Sequence, residues 1–234
     1  MNLILYFGSG DYQDSFSLMN ILFFWTTQIS IIPLLVAVFR FKRLTIIQKL
    51  ISIAVLWGTL IQEVANYLGE LFNNNLAINH LYHFFDFLLL SMLFIYLLRG
   101  RRNKYLIPII SSIVLGFSIV NSLFIQSLDA FDTYSATLGS LVLMFYSVSY
   151  FYLLLKKSLT EDLGSSPMFW FASAVLIYHS GSLVIQFSGN YLLPKSQEIQ
   201  VTVWGIHAVF NIIRYILYAI ALWVQPKKSP YSIS

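Results

Sequence analysis

The stretch Ile78–Leu98, INHLYHFFDFLLLSMLFIYLL, makes two demands on one helix. Its second half is as apolar as any lipid-facing helix, while its first half carries His80, His83 and Asp86. About 20 such residues, at a rise of about 1.5 Å each, cross the hydrocarbon of a bilayer. Ionisable groups within that thickness are costly. Each therefore lies at the membrane edge, is paired inside the protein, or carries a function.

Six more apolar runs flank this one. The predicted spans are 19–41, 47–69, 78–98, 105–127, 133–155, 167–190 and 199–224, a seven-transmembrane-helix bundle of the all-α, polytopic membrane class. The chain is 58% hydrophobic and 10% charged, with a mean hydropathy of +0.72. A soluble domain carries about a quarter charged residues, so the bilayer is the expected surrounding. A single membrane domain covers 19–224, residues 1–18 form a short outer tail, and 225–234 a second tail. The start, MNLILYFGSGDYQDSF, lacks the basic end and long apolar run of a signal peptide. Without cysteine the chain has no disulfide, thiolate site or cysteine nucleophile.

Charge placement orients the bundle. Arg40, Lys42, Arg43, Lys49, Arg99, Arg101, Arg102, Lys104, Lys156, Lys157, Lys227 and Lys228 all fall on one side. They are twelve of the 14 basic residues. Lys195 alone lies in an opposite loop, among Asp11, Asp14, Glu70, Asp129, Asp132 and Glu198. The positive-inside rule then puts the N-terminus outside and the C-terminus in the cytoplasm. Basic residues spread over several loops set topology and meet lipid head groups. They do not form a nucleic-acid patch.

The polar residues within the spans are few and fall mainly on four helices. The second span has Gln62, Glu63 and Asn66, and the third has His83 and Asp86, with His80 read as a loop or interface residue at its mouth. The sixth has His179 and Gln186, and the seventh His207, Asn211 and Arg214. Spans one, four and five offer little beyond Gln28, Asn121 and scattered hydroxyls. Helical rise puts Glu63 and His83 about 8–9 Å below the outer face and Arg214 about 22 Å, with the rest between. Within the third helix His83 and Asp86 share a face with Asn79 and Leu90. In the seventh, His207, Asn211 and Arg214 share another. These patterns predict an outward-facing pocket walled by spans two, three, six and seven and lined by Glu63, Asn66, His83, Asp86, His179, Gln186, His207, Asn211 and Arg214. Asp86 and Arg214 are expected to pair, directly or through one bridging side chain.

Three histidines at similar depth suggest a metal. His83, His179 and His207 would offer three imidazoles to zinc, with Glu63 or Asp86 as fourth ligand or general base. In this the chain resembles the seven-helix intramembrane hydrolases related to alkaline ceramidases and adiponectin receptors. Those enzymes hold zinc through histidines of several helices and an aspartate on the third. Their last helix carries His-x-x-x-His where this chain reads His207-Ala-Val-Phe-Asn211, and their second-helix histidine is replaced in the region of Glu63. A retinal protein is excluded, because the seventh span, 199–224, holds no lysine for a Schiff base. NIIRY also lacks the proline of the Asn-Pro-x-x-Tyr pattern of G-protein-coupled receptors.

A broader resemblance covers roughly Phe39 to Trp223. The runs NSLFIQSLDAFDTYSATLGSLVLMFYSVSYFYLLL, FWFASAVLIYHSGSLVIQF and WGIHAVFNIIRYILYAIALW look like an uncharacterised family of small heptahelical bacterial inner-membrane proteins. Members are often encoded near two-component signalling genes. The resemblance implies a sensor that addresses a cytoplasmic partner such as a histidine kinase. Three functions are thus expected, in order: a sensor whose pocket binds a small ligand, lipid or metal ion, a zinc-dependent lipid or amide hydrolase, and a small-solute transporter.

Overall fold

The computed structural model describes residues 25, 26, 28–72, 74–98, 105–157, 163–192 and 194–225. All regular elements among them are helices. They are α1 (Ile31–Arg40), α2 (Ile46–Phe72), α3 (Leu76–Leu97), α4 (Leu106–Val120), α5 (Thr133–Lys157), α6 (Pro167–Leu192) and α7 (Gln197–Trp223). A π-helical turn, Asn121–Ile125, closes α4.

The six helices α2–α7 are long and apolar enough to cross a membrane, the length and composition of a multi-pass membrane protein. Their limits fall close to the predicted spans. Of the span expected at 19–41, α1 supplies ten residues. The predicted tail at 1–18 and the basic residues at 99–104, 227 and 228 lie outside the described residues, as does most of the tail at 225–234.

Local chemistry sets several helix ends. Thr45 and Gln48 form a capping box at the start of α2. The Gln48 amide donates to Thr45 Oγ1 at 3.3 Å, and the Thr45 amide donates to Gln48 Oε1 at 3.0 Å. Asp132 caps α5 by accepting the Ser135 amide at 3.2 Å. Pro167 opens α6 and Pro108 lies in the first turn of α4, positions where a missing N–H costs little.

Lipid tails are as apolar as leucine, so close helix contact in a membrane depends on small residues. Small residues on both helices, Ala172, Ala174 and Ser182 on α6 and Ala208 and Ala221 on α7, are all buried. At Gly181 a side chain would meet the Phe210 ring at 2.4 Å, which only glycine avoids. The bundle divides along its length. Towards the end bearing Arg40 and Lys49 it is filled by an aromatic core, where Phe94 lies 5.4 Å from Phe171 and Phe171 stacks on Tyr218 at 5.9 Å. Towards the end bearing Asp129 and Asp132 the interior turns polar.

Candidate functional site: a polar core between four helices

Helical spacing aims the polar side chains inward. On α3, Asn79, Asp86 and Leu90 lie on one buried stripe, with His83 between them. On α7, His207, Asn211 and Arg214 are each no more than 6% exposed. On α6, His179, Ser182 and Gln186 follow the same rule, each no more than 4% exposed. The stripes read from the sequence on α3 and α7 are therefore the faces that pack into the bundle.

Arg214 occupies the centre. Its Nη1 donates to the Tyr82 hydroxyl at 3.1 Å and stands 4.0 Å from Asp86 Oδ1. The guanidinium lies over the Tyr178 ring at 3.8 Å, a cation–π contact strengthened by exclusion of water. Its Nη2 approaches the Tyr215 hydroxyl at 3.5 Å. Three tyrosines from α3, α6 and α7 thus hold the cation, and Asp86 balances its charge. Sequence reading missed these tyrosines. Their i±4 relation to Asp86 and i±1 relation to His179 and Arg214 was the available signal.

A second chain crosses from α5 to α6. His179 Nδ1 is 2.8 Å from Ser140 Oγ, and Ser140 Oγ donates to Gln186 Oε1. A hydroxyl has one hydrogen. Spent on Gln186, it leaves His179 Nδ1–H to donate to Ser140, so Nε2 of the neutral ring is a bare acceptor. The buried atoms in this core with no hydrogen-bond partner among the described residues include five on its ionisable and amide side chains: His83 Nε2, His179 Nε2, His207 Nδ1, Asn211 Oδ1 and Arg214 Nε. Leaving a buried polar atom unpaired costs about 1–3 kcal/mol. Five of them would rival the about 5–15 kcal/mol that holds a typical domain together.

Two small cavities lie among these atoms. One is lined by Tyr82, His83, Phe131, Tyr178, Ile185, Gln186, Trp204 and His207. The other touches His83, Asp86, Ser135, Ser140 and His179. Each leaves about 10 Å³ open to the centre of a water-sized sphere, the room of roughly one water. The His83 ring stands between them.

Three expectations need correction. Glu63 was expected in the pocket and as a zinc ligand, but it is exposed. The buried face of α2 runs through Ile61 and Ala65, and at about 100° per residue position 63 points the opposite way. Asn66 is half-buried and accepts from Gln62 Nε2 at 3.0 Å on the same helix, so it is spent locally. The fourth wall is α5 through Ser140, not α2. The remaining pocket residues, His83, Asp86, His179, Gln186, His207, Asn211 and Arg214, do face the interior together.

The zinc set fails as drawn. Among the described residues no three His, Asp or Glu side chains are placed to hold a metal ion. Tyr178 separates the rings, its centroid 5.0 Å from His179 and 5.6 Å from His207. His179 Nδ1 is already committed to Ser140, and Glu63 faces away. The pocket also differs from an open outward vestibule, since Phe131 and Trp204 pack over it 5.7 Å apart.

His80 is 4% exposed, not an interface residue. Its Nε2 donates to the Ala130 carbonyl at 3.2 Å, and Nδ1 is hydrogen-bonded to Ser122 Oγ at 2.9 Å. It thereby ties α3 to the loop before α5. That loop's Asp132 is fully buried; its Oδ1 accepts from Asn121 Nδ2 at 2.9 Å while Oδ2 finds no partner among the described residues. Burial pushes the Asp132 carboxyl up, and the nearby His80 and the hydrogen bonds from Ser135 and Asn121 offset part of this. The same loop is pinned to α6, where Asn190 bonds both backbone groups of Phe131, at 2.8 and 2.9 Å.

At the opposite end Gln48, fully buried, reaches from α2 to the last turn of α7. Its Nε2 donates to the carbonyls of Ala221 and Val224, each at 2.9 Å. Arg40 donates to the Trp223 carbonyl and lies over that ring at 4.7 Å.

Compared with protein-family models, curated proteins and solved structures, the chain finds no match.

Proposed function

We propose that this chain is a receptor-like sensor of a bacterial inner membrane, with its N-terminus outside and its C-terminus in the cytoplasm. Its polar core responds to a small ligand, and the response passes to a cytoplasmic partner of the histidine-kinase kind. The observation that carries the reading is the set of buried, unpartnered donors and acceptors on α3, α6 and α7, gathered around a charge-balanced Arg214 and Asp86. Ionisable groups at membrane depth are costly and mark candidate functional sites, and a purely structural pair does not need three further histidines beside it. The resemblance to small heptahelical inner-membrane proteins and the bias of basic residues support the signalling part and the orientation.

In the mechanism, a change in the core alters how α6 and α7 pack, since both supply its walls and meet tightly at Gly181 and Phe210. The basic end of α5, Lys156 and Lys157, then presents a different surface. A photo-crosslinking residue at Lys157 in intact bacterial membranes tests this. A discrete adduct with a cytoplasmic signalling protein is expected, with its yield altered by Arg214→Leu. No adduct, or a yield indifferent to the core, overturns the reading.

A further inference from the structure

We infer that the polar core is a water-binding site for two molecules, one on each side of the His83 ring. Together with side chains of α3, α5, α6 and α7 they close a hydrogen-bonded ring. The first molecule occupies the cavity bounded by His83, Gln186 and His207, and the second the cavity bounded by His83, Asp86 and His179. Gln186, Ser140 and His179 already form a continuous chain from one cavity to the other. His83, lining both cavities, closes the circuit on the opposite side.

Three observations select water. The first is size: each cavity takes roughly one water, which excludes a lipid chain or an organic metabolite. The second is charge. Asp86 already balances Arg214, so an added ion would bring uncompensated charge to membrane depth, and no metal-binding set exists among the described residues. The third is hydrogen-bond character. His179, lining the second cavity, has an Nε2 that calls for a donor, and His83 and His207, lining the first, each have a ring nitrogen without a partner, to be met by a donor or an acceptor according to tautomer. Water serves both with its two hydrogens and two lone pairs. His179 and His207 are at least nine-tenths buried, so these needs are not met by bulk solvent.

The inference deepens the sensor reading, on which the step from bound water to signal rests. In that reading the resident waters couple three helices, and a stimulus acts by displacing or rearranging them.

Solid-state NMR of the full chain in liposomes, with histidine labelled by ¹⁵N and magnetisation transferred from water, tests it. Transfer to ring nitrogens of His83, His179 and His207 is expected, with His179 carrying its hydrogen on Nδ1. In His83→Phe, which puts a slightly larger ring without polar atoms between the cavities, transfer to His179 and His207 should disappear or fall sharply. Absence of water transfer in the unmodified protein overturns the proposal, as does a retained ion or organic molecule seen by native mass spectrometry. The Lys157 crosslink reads a different property. Water at the rings with no core-dependent adduct sinks the sensor and keeps the site, and the reverse result sinks the site alone.

Discussion

Arg214 Nη1 lies 4.0 Å from Asp86 Oδ1, both buried inside the bundle. The pair is loose by itself, and Tyr82 and Tyr178 complete the hold on the guanidinium. Removing one member of a buried pair strands the other charge, at about 3–5 kcal/mol. Asp86→Asn and Arg214→Leu should each lower the unfolding midpoint in detergent by an amount of that order. The double variant should lose clearly less than the sum. Additive losses in the cycle would show that the two groups are not coupled.

Gly181→Ala places a methyl group against the Phe210 ring. Overpacking of this kind costs about 1–3 kcal/mol. Thermal unfolding should show the loss, and Gly181→Ala combined with Phe210→Leu should recover part of it. Failure of the second change to help would mean that the strain lies elsewhere.

Asp132 gives a pH dependence with a definite sign. Burial raises its folded pKa above the unfolded value, so the folded state holds the proton more tightly. Its contribution to stability is complete below the unfolded pKa of about 4 and is lost as pH rises through the raised folded value. The protein should therefore gain stability from this group on moving from pH 7 towards pH 4. Asp132→Asn should remove that part of the dependence. An unchanged pH profile of the unfolding midpoint in the variant would contradict it.

The orientation rests on loop charge. A reporter fused after Ser234 should be active only as a cytoplasmic domain, and one at the N-terminus only across the membrane. Both reporters on the same side would mean an even number of crossings and would remove the outside-in direction of the proposed signal.

Gln48→Ala leaves the carbonyls of Ala221 and Val224 without their side-chain donor and breaks the capping box at Thr45. The expected loss is about 1–3 kcal/mol, measured by thermal unfolding. Gln48→Glu should be no better, because a carboxylate cannot donate to those carbonyls.

Apolar blocks carried the spans, because hydrocarbon thickness fixes helix length whatever the neighbours are. Periodicity carried the α3 and α7 stripes for the same local reason: spacing of three or four returns a side chain to one face. Which face of α2 turns inward was not local. Glu63 looked like a pocket residue by depth, yet Ile61 and Ala65 took the buried face and rotated it outward. Ser140 was passed over as one hydroxyl among many, and only the packing of α5 on α6 made it the partner of His179 and Gln186. The tyrosines around Arg214 were hidden by the same ambiguity, since in a membrane helix tyrosine reads equally well as an interfacial residue. Gln48 was not singled out in the sequence: its capping box with Thr45 is local, but its reach to α7 spans 173 residues of sequence.

That reach bears on how the protein is made. As the chain emerges from the ribosome, α2 enters the bilayer with the Gln48 amide lacking its acceptors, and α3 follows with Asp86 lacking its cation. Both obligations are met by α7, which is synthesised well after α2 and α3. The early helices are therefore held as an incomplete, polar-cored intermediate until α7 has been made, and the bundle locks when α7 docks. A chain cut off after α6 would leave these groups stranded together, which marks it as a substrate for membrane proteases.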